Sequence, residues 1–127
     1  MGLYKVQTAK APAAIGPYSQ AIKAGDYLFC SGQIPLLPNT GEIIAGGIEP
    51  QTRQVLENLS AVLAAAGVGF KAVAKTTIYL VDLGDFSVVN EIYASYCADP
   101  APARATVQVA ALPKGVLVEI DAVAYCG

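Results

Sequence analysis

Apolar positions along the chain recur with two periods, alternate and three-to-four, and glycine and proline fall between the segments. Leu3 to Thr8 reads as a first strand. Ser19 to Ala24 and Tyr27 to Gly32 read as two more, flanking Gly25-Asp26, a two-residue connection that suits a tight hairpin. Gln33 to Gly47 carries Pro35, Pro38, Asn39, Gly41, Gly46 and Gly47, so it is expected to be loop. Val55, Leu56, Leu59, Val62, Leu63 and Ala66 then form one helical stripe, with Pro50 suited to the first turn and Gly67 to the end. The β-branched run Val73 to Val81 predicts a central strand. A second helix is expected from Asp85 to Cys97, with Phe86, Val89, Tyr93, Tyr96 and Cys97 on its apolar side, stopping before Pro100. Thr106 to Ala111 and Val116 to Ala124 read as strands of a last hairpin, joined by Leu112 to Gly115. The order β-β-β-α-β-α-β-β predicts an α+β fold with two helices on one face of a mixed sheet. The other face then needs a cover.

Composition sharpens that need. The chain's 127 residues suit one domain, residues 1–127, and 54% are hydrophobic while only 14% are charged. So few charges predict that identical subunits cover the bare face. Histidine is absent, which excludes Ser-His-Asp and Cys-His hydrolases, His-ligated zinc and any imidazole proton transfer. Eight Lys+Arg are scattered singly in a chain of net charge −2, so there is no basic stripe for a nucleic-acid backbone. Cys30, Cys97 and Cys126 are odd in number and far apart, and read as reduced thiols packed as small hydrophobes. No signal-peptide core or membrane-length apolar run is present, and Val6 stands where a myristoylation site requires Ser or Thr. A cytoplasmic location is expected.

The last hairpin offers the candidate chemistry. With its turn centred between Pro113 and Lys114, Val107 and Val109 share a face with Val118, Ile120 and Ala122. Arg104, Thr106 and Gln108 then share the opposite face with Glu119 and Asp121. Arg104 is one of only two arginines, and its fork matches a carboxylate bidentately; the ordinary alternative is an ion pair with Asp121 or another carboxylate. Glu119, in the middle of an apolar strand, is costly unless paired or useful, the plainer role being an acceptor that holds a loop. Tyr18 and Ser31 could each offer a hydroxyl. Asn90 interrupts the second helix, where a backbone contact is the alternative.

These residues lie in stretches that carry a resemblance. GPYSQA (Gly16 to Ala21), SGQIP (Ser31 to Pro35), TGEI (Thr40 to Ile43), KTTIYLVDLGDF (Lys75 to Phe86), PARATVQVAALPKG (Pro102 to Gly115) and VEIDAVA (Val118 to Ala124) resemble the Rid, or YjgF, family in its RidA branch. The resemblance covers nearly the whole chain in order. It implies a chorismate-mutase-like domain assembled as a homotrimer with clefts between subunits. It further implies cofactor-free hydrolysis of 2-aminoacrylate and related 2-imino acids, such as 2-iminobutanoate and 2-iminopropanoate, to 2-oxo acids and ammonia. On the matching positions Arg104 would clamp the substrate carboxylate and Glu119 would hold or activate water. Tyr18, Ser31, Gly32, Asn90 and Thr106 would line the cleft. Thr106 stands where other members carry cysteine, so no thiol role follows there, and Ala101 stands where an aromatic is frequent.

A protonated imine beside a carboxylate is already electrophilic, so a positioned water and a clamp suffice without histidine or metal. Two other readings remain: a ribonuclease or translation inhibitor, which the dispersed cations disfavour, and a non-enzymatic 2-oxo acid binding module, which would need Arg104 but not Glu119. The hairpin pairing places Arg104 opposite Val123 and Glu119 four residues further on, about 13 Å away. That span predicts that the two residues of one site come from different chains.

Overall fold

The computed structural model describes residues 2–97 and 99–127; Met1 and Ala98 lie outside them. Strand β1 (Leu3–Val6) pairs antiparallel with β2 (Ala21–Ala24). The expected hairpin follows: Ala24 faces Tyr27, and Gly25 takes φ 58°, a conformation open to glycine, to turn the chain into β3 (Tyr27–Gln33). Helix α1 (Ile48–Ala65) has Pro50 in its first turn. It ends in a Schellman motif in which Gly67, φ 81°, donates to the Ala64 carbonyl at 2.9 Å and Val68 to that of Leu63 at 3.1 Å. Strand β4 (Val73–Leu80), helix α2 (Phe86–Tyr96), β5 (Ala103–Gln108) and β6 (Val118–Tyr125) complete the expected order.

The six strands form one mixed sheet in the order β1-β2-β3-β6-β4-β5. Val118, Ile120, Ala122 and Ala124 of β6 are buried against Leu28 and Cys30 of β3, Ile78 and Leu80 of β4, and the stripes of both helices, including Leu56, Leu59, Val89 and Ile92. Both helices therefore pack on one face, as the periodicity predicts. The opposite face is open and apolar. Tyr27, Phe29 and Tyr125 are 47%, 50% and 50% exposed there, and register places Leu3 and Val107 with them.

One expectation fails. β5 and β6 are not a hairpin; β4 lies between them, parallel to β5 and antiparallel to β6. α2 is a crossover that returns β5 to the outer edge of β4, and the nine-residue connection then carries the chain past β4 to reach the central slot. The register runs Arg104–Thr76–Ala122 and Val107–Tyr79–Glu119 across the three strands. Arg104, Thr106 and Gln108 thus lie on the helix-bearing face and Glu119 and Asp121 on the open one, the reverse of the expected sharing. The physical cause is that β5 is a short edge strand. Neither of its faces is closed by core, so alternation alone does not say which way it points.

Candidate active site

Glu119 projects from the open face into a cavity of about 710 Å³ shared with Tyr18, Ser31, Gly32 and Lys114. Local backbone irregularity makes room for it. Between Cys30, opposite Ala122, and Gln33, opposite Ile120, β3 spends one more residue than β6, so Ser31 and Gly32 form a bulge beside Glu119. A Cβ on Gly32 would lie on the Glu119 carboxylate, 2.9 Å from Cδ and 3.1 Å from Cγ. Only glycine lets the carboxylate lie against the backbone here. Glu119 has no hydrogen bond or ion pair among the described residues, so it is not the loop-holding acceptor of the plainer reading. Burial, and then the like charge of Asp121 two residues on, hold its pKa above the ordinary glutamate value. Asp121 itself accepts a hydrogen bond from the Tyr79 hydroxyl at 2.9 Å.

Buried amides hold the cavity walls, and these the sequence reading missed. Gln20, only 3% exposed, accepts from the Thr8 amide at 2.7 Å and donates to the carbonyls of Thr8, Ala11 and Pro12 at 3.1, 3.3 and 2.7 Å. It fastens the 8–12 segment to β2, and with it the Pro12 and Ala13 wall. Losing that amide would orphan several backbone groups, a cost of about 3 kcal/mol. Asn58 of α1 donates to the carbonyls of Ile34 and Leu36 at 3.1 and 2.9 Å, and Gln51 accepts from the Leu117 amide at 2.8 Å just before β6. The signal for the last two lay in the helix pattern: Gln51 and Asn58 fall inside the apolar stripe of Val55, Leu59 and Val62, where an amide persists only with partners. Ser31 lines the cavity but commits its proton to the Ser19 carbonyl at 2.6 Å, so its hydroxyl can only accept there.

Arg104 belongs to a second cluster, on the other face. Its Nη1 donates to Asn90 Oδ1 at 2.7 Å, and its guanidinium lies 5.4 Å from the ring centre of Phe86 and 5.1 Å from that of Tyr93. All three partners come from one side of α2, at spacings of three and four residues. Asn90 therefore holds the arginine and not a backbone group. Behind them, Tyr93 shares a 2.6 Å hydrogen bond with buried Thr76, and burial pushes its phenol up to about 12. Among the described residues, every contact of Arg104 is with a neutral group. The ordinary alternative for Arg104, an ion pair with Asp121 or another carboxylate, is absent among the described residues; Asp121 lies on the opposite face. Two residues on, the Thr106 hydroxyl is buried without a hydrogen-bond partner.

The structure thus brings Tyr18, Ser31, Gly32 and Glu119 together, and separately Asn90, Arg104 and Thr106. Within one chain the two groups do not meet. From the register, Arg104 and Glu119 are two strands and three residues apart, about 14 Å between Cα atoms, with side chains on opposite faces. The expected span was similar, but it rested on a pairing that does not exist. The thiols stand aside: Cys30 and Cys97 are buried, and burial pushes the Cys30 thiol up to about 12. No helix among the described residues is long and apolar enough to cross a membrane.

Residues 8–126 match the family model described as Endoribonuclease L-PSP. A RutC family protein of Pyrococcus horikoshii is 58% identical over 118 residues, which cover 93% of this chain and 94% of that one. A protein of Mus musculus named 2-iminobutanoate/2-iminopropanoate deaminase is 50% identical over 122 residues, 96% of this chain and 90% of that one. Among solved structures, E. coli TdcF with bound serine matches with a TM-score of 0.91 at 43% identity, covering 98% of this chain and 99% of the other.

Proposed function

The chain belongs to the Rid (YjgF, endoribonuclease L-PSP) family, and from that premise we propose that it is a cofactor-independent deaminase of 2-imino acids, acting at clefts shared between the subunits of a homotrimer. The observation that carries the reading is Arg104: a guanidinium gripped by an amide and two ring faces, its charge answered by no carboxylate among the described residues. Such a fork is ready for an external carboxylate. The relative named 2-iminobutanoate/2-iminopropanoate deaminase supplies the substrate class.

In this reading the open sheet face is the subunit interface. An exposed run of tyrosine, phenylalanine and valine on a sheet calls for a cover. Packing there sets the Glu119 cavity of one subunit against the Arg104 edge of the next. Arg104 and the Thr106 hydroxyl hold the substrate carboxylate, Asn90 keeps the fork in place, and Tyr18 and Gly32 border the imine carbon. Glu119 takes a proton from water as the oxygen bonds to the iminium carbon and the C=N pair moves to nitrogen. The protonated Glu119 then returns that proton to the amine of the carbinolamine. The C–N bond breaks with its electron pair leaving on nitrogen while Glu119 takes the hydroxyl proton, giving a 2-oxo acid and ammonia, which that proton converts to ammonium. A carboxylate whose pKa is already raised suits both halves of this exchange.

The test is ammonia and 2-oxobutanoate release from the imine that a threonine dehydratase generates. Acceleration over the dehydratase alone, in proportion to added protein, is expected; an unchanged rate would contradict the reading. RNA cleavage draws on the family description alone, and among the described residues a single cation, Lys114, lines the cavity.

A further inference from the structure

Lys114 is the one residue other than glycine with positive φ among the described residues, at φ 58° and ψ 16°. Side chains of L residues are disfavoured in that region, and asparagine or glycine ordinarily occupies it. The turn does not need the lysine. It closes through backbone bonds from Gly115 to the Leu112 carbonyl and from Val116 to that of Pro113, both at 3.2 Å. Lys114 is exposed and its ammonium makes no ion pair or hydrogen bond among the described residues. A strained position thus carries a long cation that contributes nothing to the fold.

Its surroundings suggest what it is for. Among the described residues, Lys114 is the only cation bordering the Glu119 cavity, and Glu119 the only anion. On a chain of net charge −2, an approaching anion meets a half-buried carboxylate and is repelled. A mobile ammonium at the rim offsets that field and draws carboxylate-bearing molecules in.

We infer that Lys114 is the electrostatic guide of the cleft, recruiting 2-imino acids and 2-oxo acids through their carboxylate and discriminating against neutral imines. This rests on the deaminase reading above. The test compares the full-length protein with Lys114→Asn, which suits the left-handed turn but lacks the charge, and with Lys114→Arg, which keeps it. The probe is 2-oxobutanoate, titrated by calorimetry at low and at high ionic strength. Lys114→Asn is expected to melt at or above the wild-type temperature and to bind about fivefold more weakly at low salt, the difference closing at high salt. KM should rise with kcat nearly unchanged, and Lys114→Arg should bind as the wild type does. Equal binding with an equal salt slope in Lys114→Asn would overturn the inference, as would a lower melting temperature. A wild type that deaminates and binds while Lys114→Asn is unaffected defeats this inference alone; a wild type that does neither defeats the deaminase reading and this inference with it.

Discussion

Glu119→Gln is expected to remove deaminase turnover by a factor of about 10² to 10⁴ while leaving the protein at least as stable as the wild type at neutral pH. The amide keeps the shape of the side chain against Gly32 but cannot take a proton from water. The stability half follows from the sign of the pKa shift. Burial and Asp121 raise the Glu119 pKa in the folded state. Its favourable contribution is therefore complete below the unfolded-state value and is lost as pH rises through the folded-state value. Above the folded-state value the ionised carboxylate opposes folding, and glutamine removes that opposition. Melting curves should show the variant gaining on the wild type from acid to neutral pH. Binding of 2-oxobutanoate should survive, which separates an enzyme from a binding module: a module would never have turned over. Near-native turnover in Glu119→Gln would return the residue to a structural role.

Arg104→Lys should fold normally and lose about 100-fold in kcat/KM, about 2 to 3 kcal/mol of transition-state binding. Lysine keeps the charge. It loses the fork, the guanidinium's contact over the rings of Phe86 and Tyr93, and the geometry that lets one nitrogen rest on Asn90 while the others face a carboxylate. Because Arg104 is exposed on an edge strand and pairs with no acidic group among the described residues, little stability depends on it. A variant with wild-type kcat/KM would mean that the cluster merely decorates α2.

The parts of the fold written in local periodicity were legible. The stripe from Val55 to Ala66 and the Gly67 stop gave α1, and Gly25-Asp26 gave the hairpin, because each is decided by a few neighbouring residues. β5 was misplaced by three residues at each end and assigned the wrong neighbour and the wrong face. Alternation records which residues share a face, but not which strand lies alongside, and an edge strand with both faces partly wet gives no burial contrast to correct the error. The site divides the same way. Glu119 stood out as a charge inside an apolar strand and Arg104 as one of two arginines. Gln20 did not stand out, because its four hydrogen bonds run to backbone eight to twelve residues away. Nor did Lys114, whose distinction is a dihedral angle.

The central claim is that one active site takes Arg104 from one subunit and Glu119 from its neighbour. It is tested most directly by mixing Arg104→Ala with Glu119→Gln protein, each inactive alone, under conditions that exchange subunits. In a random trimer of equal parts, about a quarter of the interfaces join an intact Arg104 to an intact Glu119. Deaminase activity should reappear at roughly that fraction of wild type, and mixtures that stay inactive after complete exchange would contradict the shared site.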